Sequence, residues 1–125
     1  MQVPLEIVFE GMAPSEAVRA RIKREASRLE RFHGRITSGR VVIELPHKRH
    51  HKGNMFFVRI HLTTPGGGDI MVRRGPKQNH AYEDAYVAIR DAFSAARRQL
   101  EDLVRKQAGK VKTHENEVPI PGTTP

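Results

Sequence analysis

Along the first ten residues the side chains alternate in character. Val3, Leu5, Ile7 and Phe9 occupy one set of positions, and Pro4, Glu6 and Glu10 fall in the other. A period of two puts each set on its own side of an extended chain, which predicts a strand with one buried face. Pro4 places that strand at an edge, or itself at the strand's start, because it has no amide to donate. The period then lengthens. Val18, Ile22, Ala26 and Leu29 recur every three or four residues, which keeps them on one side of a helix starting near Glu16. Ser15 can cap its first turn, and Gly34 lies where such a helix would stop. Alternation returns in three further runs. The first is Val41, Ile43 and Leu45. In the second, Phe56, Val58, Ile60 and Leu62 lie opposite Met55, Phe57, Arg59 and His61, and the third is the shorter Ile70 and Val72. Thr64-Pro65-Gly66-Gly67-Gly68-Asp69 has the composition of a tight reversal, so the last two strands should form an antiparallel hairpin. Pro46 to Gly53 is a longer connection between the earlier pair. The strongest helical period runs from about Ala81 to Lys106, where Tyr82, Tyr86, Ile89, Phe93, Ala96, Leu100 and Leu103 return to one side. Glu83 and Asp84 at its start and Arg105 and Lys106 at its end complement the helix dipole.

The element order is therefore β-α-β-β-β-α. Two helices with one apolar side each and a mostly antiparallel four-stranded sheet are all satisfied if both helices cover one sheet face. The expected architecture is thus an α+β sandwich whose other sheet face stays open. A chain of 125 residues holds one such core, and a second folded domain is not expected. Residues 1–107 form that domain. Residues 108–125, with Pro119, Pro121 and Pro125, have too little apolar content to pack and are read as a disordered tail.

Charge narrows the partners. Twenty-two lysines and arginines against 14 acidic residues give a formal charge of +8 and direct attention to polyanions. The apolar runs are too short to span a bilayer, so no membrane partner is expected. Met1 to Glu10 lacks the basic start and apolar stretch of a secretory signal, and a cytoplasmic location is expected. Without cysteine there can be no disulfide, no thiol catalysis and no cysteine-ligated zinc.

The placement of the charges is more telling than their number. Arg21, Arg24, Arg28 and Arg31 recur at i, i+3, i+7 and i+10, forming a stripe rotated away from the apolar side of the first helix. A solvated face partly neutralised by Glu25 and Glu30 is the plain alternative, and the one-sign stripe favours RNA contact. Lys23 on the same helix and Arg90, Arg97 and Arg105 on the second helix extend the candidate set. Lys48, Arg49 and Lys52 could form a phosphate-binding finger or an inert solvated loop. In the same loop His47, His50 and His51 offer imidazoles to a metal, but the adjacent cations oppose a divalent ion and no metal site is expected. Arg73, Arg74 and Lys77 make a second basic loop, either RNA-binding or a solvated connector. The three glycines Gly66, Gly67 and Gly68 lack the Lys-Ser/Thr and helix start of a nucleotide-binding loop and are assigned to the hairpin. Tyr82, Tyr86 and Phe93 could stack on bases, but their helical spacing puts them on the core stripe, and Tyr86 and Phe93 are assigned to the core. Phe57, Met55 and Arg59 face the open side of the sheet, where they could contact single-stranded RNA or a second copy of the chain in a weak homodimer. Asp84, in the first turn of its helix, is read as a dipole or capping partner rather than a general base, since no histidine or nucleophile accompanies it at a suitable spacing. No catalytic residues, cofactor or small-molecule substrate are expected.

Three segments carry a family resemblance. Ser15 to Phe32, SEAVRARIKREASRLERF, ends in Leu29-Glu30-Arg31-Phe32; Phe57 to Gly68 ends in the turn Thr64-Pro65-Gly66-Gly67; and Tyr82 to Leu100 reads YEDAYVAIRDAFSAARRQL. In one colinear order over roughly residues 3 to 106, the chain resembles the ribosome hibernation-promoting and ribosome-associated inhibitor proteins, also called the sigma-54 modulation family. The resemblance implies the same β-α-β-β-β-α fold, similar to a double-stranded-RNA-binding domain. It also implies binding to rRNA of the small ribosomal subunit near the decoding centre, blocking the tRNA and mRNA path in stress or stationary phase. Arg19 and Arg31 match basic positions of the family's first helix, and Arg98 matches the arginine of its Arg-Gln-Leu step. Departures are Ala95 where the family has a nearby lysine, a longer connection from Gly75 to His80, and the basic loop at His47 to Lys52. The additional C-terminal domain through which long members pair ribosomes is not expected here. The competing reading is a protein-interaction module, such as a regulator of a sigma factor, with no ribosome binding.

Overall fold

The computed structural model describes residues 4–32, 36–46, 55–66, 68–75 and 84–117, with the side chains of Phe32 and of residues 108–117 left aside. The elements are β1 (Leu5–Glu10), α1 (Glu16–Phe32), β2 (Ser38–Glu44), β3 (Phe57–Thr63), β4 (Ile70–Arg74) and α2 (Ala85–Glu117). The sheet order is β1-β2-β3-β4. β1 runs parallel to β2, with Leu5 opposite Gly39, because α1 carries the chain back across the sheet between them. The other two pairings are antiparallel.

Inward-facing residues of three strands, Val41, Ile43, Val58, Ile60, Leu62, Ile70 and Val72, meet Val18, Ile22, Ala26 and Leu29 of α1 and Ala88, Ile89, Ala92, Phe93, Ala96 and Leu100 of α2 in one core. Leu5, Ile7 and Phe9 of the edge strand β1 pack against it half-buried. The sandwich expected from the two periods is therefore present. Successive residues of α1 from Arg21 onward meet successive residues of α2 from Tyr86 onward, so the helices run in the same direction.

The ends of the elements follow local chemistry. The Ser15 hydroxyl accepts the Val18 amide at 3.2 Å, as its place before α1 predicts. The Asp84 carboxylate accepts the Tyr86 amide at 2.9 Å, which makes it the cap of α2 rather than a member of its first turn. The described helix thus starts at Ala85, not Ala81, and Tyr82 and Glu83 lie outside the described residues. At the other end α2 continues to Glu117, well past Lys106 and into the segment read as a tail. No proline interrupts the sequence before Pro119, so nothing forces the backbone to stop sooner. Arg105 and Lys106 consequently sit within the helix, and the dipole argument for them does not hold.

In the β3–β4 turn Gly66 has φ +86°, a left-handed conformation that a side chain disfavours. A Cβ on Gly68 would come within 2.7 Å of Leu103 Cδ1, so that glycine lets α2 lie against the turn. On the edge strand β4, the Gln99 side-chain amide donates to the Met71 carbonyl at 3.1 Å, tying α2 to the strand's backbone.

One core assignment fails. Tyr86 is 37% exposed. Alanines at 85, 88, 92 and 96, all buried, fix the middle of the apolar stripe, and Tyr86 lies about 115° around the helix from it at 100° per residue. Phe93, at 4% exposure, is core as expected.

Candidate nucleic-acid interface

α1 and α2 lie side by side on the sheet, and their outward flanks bound a groove of about 620 Å³. From α1 it takes Arg21, Glu25, Arg28, Leu29 and Arg31, and from α2 Arg90, Phe93, Ser94 and Arg97. The origin of this arrangement is the phase of the arginine stripe. Arg21, Arg24, Arg28 and Arg31 are centred about 120° from the middle of the apolar side of α1, on the flank toward α2.

Among the described residues Glu25 is the sole acid lining the groove, and it is 9% exposed. Arg21 donates through Nε to its Oε2 at 3.1 Å, and Arg28 Nη1 lies 3.8 Å from its Oε1. A buried carboxylate needs such partners, and in return it fixes two guanidinium groups along the floor. The Arg21 guanidinium carbon also sits 5.6 Å above the centre of the Tyr86 ring. A smaller cleft at that end is bounded by Ala17, Ala20, Arg21, Arg24 and Tyr86. On α2, Arg90 pairs with Asp91 at 3.1 Å and Arg97 with Glu101 at 3.6 Å. Lys23, Arg24, Arg31, Arg98 and Lys106 have no ion-pair partner among the described residues.

The structure brings together Arg21, Arg28, Arg31, Arg90 and Arg97, with Arg24 beside them. It separates others. Arg19 lies on the opposite flank of α1, 5.3 Å above the Phe9 ring and 3.5 Å from Glu16, so it does not line the groove. Arg98 and Lys23 are exposed but outside the groove, and Arg105 pairs with Asp102. Arg73 packs over Phe57 at 5.8 Å on the open sheet face, and Arg74 donates to the Arg73 carbonyl. Lys48, Arg49, Lys52 and Lys77 lie outside the described residues, as do His47, His50 and His51. Among the described residues no group of histidine and acidic side chains could hold a metal, and no helix is long and apolar enough to cross a membrane.

Two participants were not foreseen. Glu25 figured in the sequence only as a neutraliser, yet its position between the apolar side and the arginine stripe already put it at their boundary. Tyr86 falls on the core stripe by its spacing from the other large apolar residues, and the alanine spacing of α2 is the signal against that.

The open sheet face is differently charged. Arg40 lies 3.3 Å from Glu6, Arg59 3.1 Å from Glu10 and His61 3.1 Å from Asp69. Val42 is buried at 6% although it points away from the helices, since these long side chains cover it.

The same fold is found in solved proteins. The Protein Y N-terminal domain of Thermus thermophilus is 20% identical with a TM-score of 0.63, the match covering 82% of this chain and 99% of that one. A ribosomal subunit interface protein of Coxiella burnetii is 12% identical, with the same TM-score and coverage. No curated protein matches the chain. Residues 5–108, which take in every strand, α1 and the packed part of α2, match the family described as Sigma 54 modulation protein / S30EA ribosomal protein, and the chain belongs to that family.

Proposed function

We propose that the chain is a non-enzymatic ribosome-associated factor that binds rRNA of the small subunit through the helix layer and, lodged near the decoding centre, blocks the tRNA and mRNA path when translation is idle. The observation that carries this reading is the groove in which five arginines from two helices surround one acid. Family membership and a fold shared with a ribosomal subunit interface protein support the choice of the ribosome over other polyanions.

The chemistry required is modest. Guanidinium groups form charge-assisted, often bidentate bonds to phosphate, and each neutralised phosphate releases counterions. Arg24 and Arg31 can meet phosphate without giving up any partner among the described residues. Exposed pairs such as Arg97–Glu101 are each worth only about 0–1 kcal/mol and can exchange a carboxylate for a phosphate. A-form RNA presents phosphates and 2′-hydroxyls rather than readable base edges, so two rigid helices at fixed separation suit its shape.

Co-sedimentation with purified small subunits across a salt series tests this. Five phosphate contacts correspond to a slope of about −4.5 in log affinity against log salt, at about −0.9 per phosphate for a duplex. Translation in vitro should fall as the occupied fraction rises. A protein that stays in the supernatant at low salt, or that captures a polypeptide equally well after nuclease treatment, would overturn the reading.

A further inference from the structure

Tyr86 is one of two large apolar side chains exposed among the described residues, the other being Met71 on the open sheet face. Its surroundings differ from those of a chance exposure. It is the second residue of α2, and its amide is held by the Asp84 cap, so its backbone is fixed. The Arg21 guanidinium lies over its ring, and Glu25, buried beneath, fixes that guanidinium. Ala17 and Ala20 of α1 face the same space and leave it open, giving a cleft of about 310 Å³, at the small end of ligand-sized sites. At its rim stands Arg24, exposed and with no ion-pair partner among the described residues.

These groups do not suit the walls of a regular duplex. In A-form RNA the base faces are stacked on their neighbours and cannot reach a tyrosine, whereas an unpaired base can be splayed out onto an aromatic ring or a guanidinium plane. Resting on the reading of the groove as an RNA site, we propose that the Arg21–Arg24–Tyr86 cleft takes one unpaired nucleotide of the bound RNA. The base joins the Arg21–Tyr86 stack over Ala17 and Ala20, and the nucleotide's phosphate bonds to Arg24. The groove then follows the adjoining backbone by charge while the cleft selects a place where a helix is interrupted. Stacking tolerates any base, so the selection is for an unpaired position rather than a sequence.

The probes are two short RNA hairpins, identical except for a single bulged nucleotide in one stem. The chain has no tryptophan and two tyrosines, Tyr82 and Tyr86, so Tyr82→Phe leaves Tyr86 as the reporter of its own environment. In that background the bulged hairpin should bind about tenfold more tightly than the plain one and quench the tyrosine emission. Tyr86→Ala should erase the preference, so that the two hairpins bind alike. In the wild-type background, Tyr86→Phe should keep the preference. Ala20→Leu, an exposed change on α1 that fills the cleft while keeping Tyr86 in the chain, should erase it as Tyr86→Ala does, and its thermal melt separates a plugged cleft from a misfolded chain. Equal affinity for both hairpins with unquenched emission would overturn the cleft proposal and leave the groove reading intact. Failure to bind either hairpin at low salt would remove the groove reading as well.

Discussion

The helix layer and the open sheet face both carry arginines, yet they make opposite surfaces. In the groove Arg21, Arg28, Arg31, Arg90 and Arg97 gather around Glu25. On the sheet each cation is engaged locally. Glu6 stands directly opposite Arg40 in the parallel register and pairs with it. Arg59 and Arg73 are direct neighbours across β3 and β4, an arrangement that would repel, and they turn apart, Arg59 across β2 to Glu10 and Arg73 onto the Phe57 ring. The sign of a surface is thus set by where its acids sit. Strands in fixed register bring acids of one strand against bases of the next. Two helices running the same way, each with its basic flank turned to the other, leave a channel into which one acid reaches.

The largest effect should come from breaking this contrast with matched reversals. Arg24→Glu, Arg28→Glu and Arg31→Glu together should cut small-subunit affinity about a thousandfold, taking roughly 1.4 kcal/mol for each charge-assisted bond to phosphate that is removed. The partner experiment reverses Arg40, Arg59 and Arg73. Each reversal removes two positive charges, so either triple variant falls from +8 to +2 and gives up the same long-range attraction. The sheet variant should weaken by no more than about tenfold. Equal losses in the two would mean that net charge, not the groove, holds the RNA.

A smaller effect, with two signs, should follow Glu25→Ala. The carboxylate side chain is 10% exposed and partners the half-buried Arg21. Its removal leaves that guanidinium without its hydrogen-bond acceptor, at a cost of about 2 kcal/mol, read as a thermal midpoint lower by roughly 10 °C. The same change takes the sole acid out of the groove, so RNA affinity measured below the transition should rise several-fold. A variant that is both less stable and weaker in binding would show that Glu25 is needed to hold Arg21 and Arg28 in place for the RNA.

Much of this was legible in the order of residues alone. Period-two and helical patterns located all six elements, because each buries one face and the face must repeat in phase with the backbone. The stripe Arg21–Arg24–Arg28–Arg31 was visible for the same reason. What could not be read was the relation between elements. Nothing local to β2 shows that Arg40 will meet Glu6, since that depends on β1 lying parallel to it in one register. Arg19 and Arg98 matched family positions, but whether they line a groove depends on which flank of each helix faces the other. Tyr86 was misplaced because a tyrosine outweighs alanine in any count of apolar residues, while in the packed helix Ala85, Ala88, Ala92 and Ala96 allow the close approach and decide the phase.

The smallest effect sharpens the comparison from the sheet side. Glu6 and Arg40 are 66% and 54% exposed, so their pair should contribute only about 0.5 kcal/mol. Arg40→Glu alone sets like charges directly opposite one another and should lower stability by about that amount. Adding Glu6→Arg restores an opposite pair in the same register and should return the thermal midpoint to within a degree or two of the parent. Subunit affinity should stay within about twofold in the charge-swapped double variant, because its net charge is that of the parent and the groove is untouched. If the swap recovers stability yet abolishes ribosome binding, the sheet face makes a contact of its own, and the division between a cross-paired face and a binding face is wrong.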